Sequence, residues 1–173
     1  LSAVKGVRTL LRAMLQVNGS HLYIAGRGDL EEELQTFTQE NGLDNVSFLG
    51  HLDAGELFPL VQKAAFSIVP SEWYENYSMS VIESLAGGTP VIGAQIGGIP
   101  EQVKDGWNGL LFKPGNADEL ARKINYMLSH PEQVKMMGNN GRAQVERINE
   151  PSRHYHDTMA IYRSLLADNG RSH

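Results

Sequence analysis

The sequence predicts an α/β domain with a parallel sheet covered by helices on both faces. Short apolar runs of the length of buried strands alternate with segments whose apolar residues recur at helical spacing. Connections of this length imply parallel strands with right-handed crossovers, which is the arrangement of a doubly wound, Rossmann-like three-layer αβα domain. With 173 residues, the chain is long enough for one well-buried domain and too short for two ordinary ones.

The predicted strands are the runs richest in β-branched and aromatic residues. They are His21–Ala25, Val46–Leu49, Phe66–Val69, Pro90–Gly93 and Gly109–Phe112. Helical stripes lie between them, and after the last strand the pattern is helical throughout. The three helices predicted there are Ala117–Ser129, Pro131–Arg147 and Pro151–Ala167, the first with a cap at Gly115-Asn116. Proline suits the start of a helix, so Pro131 and Pro151 mark the breaks.

Composition excludes several classes of function. A formal charge of −5 argues against nucleic acid as a partner, since binding to a phosphate backbone needs a basic excess. The absence of cysteine rules out disulfides and thiolate metal sites and is consistent with a cytoplasmic location. No apolar run reaches the roughly 20 residues of a membrane span. There is no Asp-x-Asp pair, and His154 and His156 point to different faces of a helix, so we expect no bound metal.

The segment from Pro70 to Glu83 carries the densest chemical signal. Ligands of open parallel sheets bind beyond the carboxyl ends of the strands, and this segment follows the third strand. Tyr77 and Ser78 supply backbone donors where a helix begins, which is a ready anion site. Glu75 and Glu83 flank it and suit sugar hydroxyls better than phosphates. Alternatively, both are solvated charges at a helix end, although Glu83 stands in an apolar stretch where a charge is unexpected.

Three other segments are less specific. The glycines of Gly87–Ala94 and Gly97–Glu101 serve either tight turns or a close approach of the backbone to a ligand. Gly26-Arg27-Gly28 lacks the third glycine of a dinucleotide fingerprint and is interpreted mainly as a turn. Lys5 is a lone basic residue, and such a lysine is ordinarily solvated surface.

Together these segments resemble the carboxyl-terminal domain of glycosyltransferase family 4, a group of retaining sugar transferases with the GT-B fold. The resemblance covers nearly the whole chain, with its motifs in the correct order. The matching pieces are Lys5-Gly6, Leu22–Gly26 with Gly28, Val46–Gly50, Pro70-Ser71, Glu75 to Glu83, Gly88–Ile92, Gly97–Glu101, Asp105-Gly106 and Gly109–Leu111.

The resemblance implies a role for each site residue. Glu83 would accept hydrogen bonds from the ribose of a nucleoside diphosphate, and Glu75 would meet hydroxyls of the transferred sugar. Lys5 would pair with the diphosphate, and the backbone of Asn76, Tyr77 and Ser78 would lie near sugar and diphosphate. The base would rest near Gly50–Asp53, on His51 and Leu52, with Gly26 also in the donor site. No cofactor and no metal would be needed, because a lysine, an arginine and a helix N-terminus stabilise the departing diphosphate.

The resemblance also implies the organisation of a longer protein. Residues 1–150 would form the nucleotide-sugar-binding domain, and residues 151–173 would form a helix that crosses back to an amino-terminal acceptor domain. That domain, the first strand of the sheet and the family's arginine before Lys5 would precede Leu1. Ser78 departs from the glycine often found at its position. We expect donor binding but no transfer from this chain alone, membrane contact only through the acceptor half, and a parent that acts in polysaccharide biosynthesis.

Two alternatives to a retaining transferase with a UDP or GDP sugar donor stay open. One is a GT-B relative with different chemistry, such as a nucleotide-sugar epimerase or a sugar-phosphate synthase. The other is a non-catalytic nucleotide-binding module. The sequence does not name the base, the sugar or the acceptor.

Overall fold

A computed structural model of the chain describes residues 1–148 and 151–169. The strands are β1 Leu22–Ala25, β2 Val46–Gly50, β3 Ser67–Val69, β4 Val91–Ala94 and β5 Gly109–Phe112. The helices are α1 Val7–Met14, α2 Glu31–Glu40, α3 Ala54–Lys63, α4 Met79–Ala86, α5 Ile99–Gln102, α6 Ala117–Ser129, α7 Pro131–Ile148 and α8 Pro151–Asn169, with a 3₁₀ turn at Ala3–Lys5 before α1. The predicted strands and carboxyl-terminal helices are confirmed, with ends that differ by one or two residues.

All strand pairs are parallel, so the predicted α/β class is confirmed. The strands form two hydrogen-bonded groups, β1-β2 and β3-β4-β5. Both groups contribute to one hydrophobic core, which contains Ile24 of β1 as well as Ile92 of β4 and Phe112 of β5. The two groups therefore belong to one layer, although no hydrogen-bonded ladder between β1 and β3 occurs in the described part of the chain.

Helices cover both faces of this layer, as the sequence predicts. On one face, Ile92 and Phe112 pack in the same core as Leu11 of α1 and Ile124 of α6. On the other face, the neighbouring residue Val91 packs in a second cluster, whose members are Val81, Leu85, Val91, Ile99 and Val103. Because side chains alternate along a strand, β4 serves both clusters, and this explains why its residues are all buried.

The first residues of the chain lie between the loops that follow β1 and β3. The backbone carbonyl of Leu1 accepts a hydrogen bond from the amide of Leu30, 3.1 Å away. The carbonyl of Val4 accepts one from the amide of Glu72, 2.8 Å away. The segment Leu1–Lys5 thus contacts the loops at the carboxyl ends of both strand groups and places Lys5 beside the loop after β3.

Side-chain caps fix the starts of two helices. Asn116 accepts a hydrogen bond from the amide of Glu119 at 3.0 Å, which confirms the predicted cap of α6. Asp53 and Glu56 form a reciprocal capping box at the start of α3, a feature that the sequence analysis did not predict.

The carboxyl-terminal helix α8 begins at Pro151, and α7 begins at Pro131, as predicted. The predicted division of the chain at residue 150 falls on residues 149 and 150, which lie outside the described residues. Several apolar side chains of α8 are exposed, namely Tyr155, Ile161, Tyr162, Leu165 and Leu166. That this helix crosses to another domain stays a prediction.

Candidate functional site

The loops at the carboxyl ends of the strands meet in two places. After β1 and β2, the amide of Gly26 donates to the carbonyl of Gly50 at 2.6 Å. After β3 and β4, the amide of Gly98 donates to the carbonyl of Glu75 at 2.7 Å. The edge of the layer at which ligands of this architecture bind is therefore built from the loops that follow β1, β2, β3 and β4.

Gly6 positions Lys5 against the loop after β3. Gly6 adopts a left-handed conformation with φ 66°, and a Cβ atom there would lie 1.8 Å from the carbonyl oxygen of Pro70. No residue with a side chain fits this contact without displacing backbone. Lys5 precedes that glycine directly, so the close approach holds it beside the end of β3.

Lys5 and Glu75 form an ion pair in the resulting site. The Nζ atom of Lys5 lies 2.5 Å from Oε1 of Glu75, and the two side chains are 58% and 19% exposed. The hydroxyl of Ser71 also donates to this carboxylate oxygen at 3.3 Å. Lys5 is thus largely exposed but not isolated, since it pairs with a residue 70 positions away, and its role towards a diphosphate stays a prediction.

The surroundings of Glu75 keep its carboxylate ionised. Partial burial opposes ionisation and is the largest single influence. The hydrogen bond and the charge of Lys5, with hydrogen bonds from Ser78 and Ser71, together outweigh burial and leave the pKa of Glu75 below its ordinary value. Glu75 is therefore a hydrogen-bond acceptor at neutral pH, suited to hydroxyl groups and held by a cation.

The start of α4 lies directly after Glu75 and Ser78. Ser78 is buried in an extended conformation, and the helix begins at Met79. The amide of Ser78, which we expected to face a ligand, instead donates to the carboxamide of Gln102 at 3.1 Å. The donors at this helix end are thus the first-turn amides of Met79 and Ser80, which have no carbonyl partner within a helix. Asn76 and Tyr77 are exposed beside them.

Glu83 lies about one turn into α4, on its exposed side. The expectation that this charge interrupts the face packed on the sheet was wrong, because Val81 and Leu85 form that face and Glu83 does not. The structure does not bring Glu83 into hydrogen-bonding contact with Lys5 or Glu75. The helix separates the two glutamates while leaving both accessible from outside.

The residues proposed for the base lie at the ends of β1 and β2. Gly26 adopts φ 119° and joins the two loops, His51 is exposed and Leu52 is half-buried. Asp53 is occupied by the cap of α3. Arg27 lies beside this loop as well, since a Cβ atom at Gly50 would stand 3.5 Å from its Nε atom. From the sequence, the segment that contains Arg27 is interpreted mainly as a turn.

A buried polar cluster behind the site was also missed. Gln102, Asn108 and Gln144 are nearly inaccessible and hydrogen-bond to one another and to Ser78. Amide side chains are ordinarily exposed, and nothing in their spacing indicates that α5, α7 and the loop before β5 converge.

Two structural findings bear on other predicted properties. Within residues 1–148 and 151–169, no three histidine, aspartate or glutamate side chains are grouped so as to hold a metal ion. No helix in those residues is both long enough and apolar enough to cross a membrane.

The fold defines a Rossmann-like domain of the kind found in GT-B enzymes, and the candidate site lies at the carboxyl edge of its strands. The sequence profile described as "Glycosyl transferases group 1" matches residues 1–144. The chain therefore belongs to the group 1 glycosyltransferases.

Individual relatives agree with this assignment. An uncharacterised glycosyltransferase of Methanocaldococcus jannaschii is 33% identical over 80% of this chain and 39% of its own length. Sucrose-phosphate synthase of Thermosynechococcus elongatus is 31% identical with a TM-score of 0.86, over 96% of this chain and 44% of that one. HepE of Anabaena in complex with UDP is 25% identical with a TM-score of 0.87, over 95% of this chain and 46% of that one. The chain thus spans less than half the length of these relatives.

Proposed function

We propose that this chain binds a nucleoside-diphosphate sugar and is the donor half of a retaining glycosyltransferase. The observation that carries the proposal is the Lys5–Glu75 pair near the start of α4, where a cation from the segment before α1 meets an ionised carboxylate of the loop that leads into the helix N-terminus. A sugar nucleotide needs this combination, because its diphosphate is anionic and its sugar presents hydroxyl donors. The solved structures of HepE with UDP and with UDP-glucose support this class of ligand.

In this proposal, Lys5 serves both parts of the donor. Its ammonium group has three donors, of which one is given to Glu75. The others can reach diphosphate oxygens, so the lysine separates the phosphate charge from the carboxylate. The first-turn amides of α4 add a fixed positive field for the leaving diphosphate, and no metal ion is required.

The remaining roles follow from position along the edge. Glu75 receives hydroxyls of the sugar, near the exposed Asn76 and Tyr77. Glu83, on the outward side of α4, accepts from the ribose, and His51 and Leu52 with Gly26 border the base. A hydroxyl of the acceptor, bound by an amino-terminal domain, approaches the face of the sugar that the diphosphate leaves, so the configuration is retained. This chain alone then binds donor without transferring the sugar.

Calorimetric titration of the chain with UDP, GDP and AMP under the same conditions tests the proposal. We expect one nucleoside diphosphate to bind selectively, and that result also names the base. Absence of binding by this chain and by a longer chain that includes the acceptor domain would refute a donor site. A hydrolase assay with the longer chain checks that the bound sugar is transferred and not simply released.

Substitution of Glu75 tests the division of roles. Glu75→Gln should leave affinity for the free nucleoside diphosphate unchanged and reduce the additional affinity that the attached sugar provides. One lost charge-assisted hydrogen bond corresponds to about 1.5–3 kcal/mol. Loss of nucleoside diphosphate binding itself would show that Glu75 belongs to the phosphate site. Glu40→Gln, on the exposed end of α2, is the matched control.

The alternative of a sugar-phosphate synthase has one observation in its favour, the likeness to sucrose-phosphate synthase over 96% of this chain. That enzyme's name specifies a phosphorylated product, and recognition of a phosphorylated acceptor would depend on residues outside this chain. Assay of the longer protein with free and phosphorylated sugars as acceptors distinguishes the two.

A further inference from the structure

The side chain of Gln102 forms a two-point contact with the backbone of Ser78. Its carboxamide oxygen accepts from the amide of Ser78 at 3.1 Å, and its amide nitrogen donates to the carbonyl of Ser78 at 3.3 Å. An extended residue presents its N–H and C=O groups on the same side, which matches the donor and acceptor of one carboxamide. Ser78 has φ −85° and ψ 109°, and both residues are at most 4% exposed.

A second layer of amides holds Gln102 in place. The backbone carbonyl of Gln102 accepts from Nδ2 of Asn108 at 3.0 Å and from Nε2 of Gln144 at 2.9 Å. The oxygen of the Asn108 side chain accepts from the amide of Lys104 at 2.7 Å, which closes the turn after α5. Within this described cluster, no buried side-chain nitrogen or oxygen lacks a hydrogen-bond partner. Gln144 is on α7, so the cluster links the carboxyl-terminal helices to the loop before α4.

The residues that precede Gln102 in the chain also contact the backbone of the Glu75 loop. A Cβ atom at Gly97 would lie 2.6 Å from the carbonyl oxygen of Glu75, and one at Gly98 would lie 2.1 Å from that of Asn76. Gly97 has φ 57°, which favours glycine independently. The segment Gly97–Gln102 therefore fixes the loop from Glu75 to Ser78 at both ends, by backbone contact at one and by the Gln102 carboxamide at the other.

We propose that Gln102 is a positioning residue for the sugar end of the donor, acting through Ser78 on Glu75. The inference rests on the proposed function of Glu75 as a partner of the sugar. Ser78 follows Glu75 by three residues in the same loop, and the amide of Gly98 donates to the carbonyl of Glu75 at 2.7 Å, so the loop that Gln102 holds at Ser78 is the loop that carries the Glu75 carboxylate. The first-turn amides of α4 depend less on this contact, since Val81 and Leu85 anchor the helix in the core. Gln102 thus governs recognition of the sugar and leaves recognition of the diphosphate to the helix.

Gln102→Met tests the proposal in this chain. Methionine is similar in length but makes neither hydrogen bond to Ser78, whereas the bonds of Asn108 and Gln144 to the backbone of residue 102 remain possible. We expect UDP to bind with unchanged affinity and the preference for UDP-glucose over UDP to fall by about tenfold or more, the range of one or two buried hydrogen bonds. Gln39→Met, at an exposed glutamine of α2, should change neither affinity. GDP and GDP-glucose replace these probes if the chain selects guanosine.

A readout without ligand separates failure of this proposal from failure of the donor site. The ionisation of Glu75, followed by NMR in the unliganded chain, should move towards the ordinary glutamate value in Gln102→Met, because the loop that holds the carboxylate against Lys5 is no longer fixed at Ser78. An unchanged titration of Glu75 overturns the positioning role even where donor binding is confirmed. Equal losses of UDP and UDP-glucose affinity, or no loss of either, overturn it as well. If neither the unaltered chain nor the longer chain with the acceptor domain binds these nucleotides, the sugar role of Glu75 fails, and Gln102 loses its proposed role with it.

Gln102→Glu provides a conservative variant should Gln102→Met fail to fold. A protonated glutamate can donate to the carbonyl of Ser78 and accept from its amide, whereas the carboxylate can only accept. The preference for UDP-glucose should therefore return in this variant as pH is lowered through the pKa of the introduced carboxyl, and remain absent above it. The positioning role would be contradicted if the preference of Gln102→Glu for UDP-glucose over UDP changed with pH no more than the preference of the unaltered chain does.

Discussion

At the scale of single residues, the site depends on a lysine and a glutamate that a glycine brings together. Lys5 and Glu75 are far apart in sequence, and their 2.5 Å contact exists because Gly6 fits against the carbonyl of Pro70. The pair is partly exposed, so its contribution to stability is screened by solvent and is at most about 1 kcal/mol. The pair therefore adds little to stability, and what it does is to hold one cation and one anion next to each other beside the start of α4.

The glycine requirement can be measured against a matched position. Gly6→Ala should destabilise the fold by more than Gly19→Ala, because both glycines have positive φ but only Gly6 is in contact with backbone. The strain of a left-handed alanine is about 1–2 kcal/mol at either position. The excess loss at Gly6, measured by urea unfolding, reports the clash with Pro70. Equal losses at the two positions would contradict the contact.

The Lys5–Glu75 pair should also give stability a particular pH dependence. The pKa of Glu75 is lowered in the folded chain from an ordinary value of 4.5. A lowered pKa stabilises the folded state above the unfolded value, and this contribution is lost as pH falls through the folded pKa. The small stability difference between the unaltered chain and Glu75→Gln should therefore be largest at neutral pH and decrease as pH falls below 4.5 towards the lowered pKa of the folded chain. Urea unfolding at both pH values measures it, and a difference that grows on acidification would contradict the sign.

At the scale of elements, helix α4 separates two chemical tasks. Its first turn faces the loop of Glu75, its inner face packs Val81 and Leu85 into the core, and its outer side exposes Glu83. One short helix thus contributes backbone donors and an accessible carboxylate about one turn apart. This separation suits a ligand that extends along the helix from sugar to ribose.

Removal of the outer carboxylate tests that arrangement. Glu83→Ala should weaken binding of the nucleoside diphosphate by about 1.5–3 kcal/mol, the range for hydrogen bonds to a charged group. Glu83 is exposed and makes no packing contact in the core clusters, so thermal stability should change little. Calorimetry with UDP or GDP measures the affinity, and Glu40→Ala serves as control. Unchanged affinity would remove Glu83 from the site.

Elements were easier to predict than contacts. The β-strands and the proline starts of α7 and α8 follow from local patterns, since strands are apolar runs and proline punctuates helices. The pairing of Ser78 with Gln102 and the burial of Gln144 do not follow from local patterns, because each depends on segments that only the tertiary fold brings together. For Glu83 the local pattern misled, since an apolar stretch on a helix still has one outward side. The acidic residues of the site were identified by their motif, and their partners required the structure.

At the scale of the whole molecule, β1 and β3 belong to different hydrogen-bonded groups but contribute to one core in the described residues. The segment Leu1–Lys5 bridges the loops at their carboxyl ends, so a strand that ended just before Leu1 would run parallel to both neighbours. We expect the first strand implied by the family resemblance to take this position, and the relatives of this chain are more than twice the length that it matches.

A designed extension tests whether β1 and β3 accept a strand. Five residues rich in valine and isoleucine, joined before Leu1, should add a parallel strand that pairs with both edges and buries apolar side chains in the shared core. A control extension of equal length, with proline and serine, cannot form the ladder. We expect the first extension to raise the melting temperature and to slow hydrogen exchange in β1 and β3, with no change in β5, which lies at the far end of its group. Equal effects of both extensions, or slower hydrogen exchange spread evenly over the chain, would contradict pairing of the added strand with β1 and β3.

Because Lys5 follows the extension closely, an extension that pairs should also hold the lysine more firmly against Glu75. The pH at which the Lys5–Glu75 contact is lost on acidification should then be lower than in the unaltered chain.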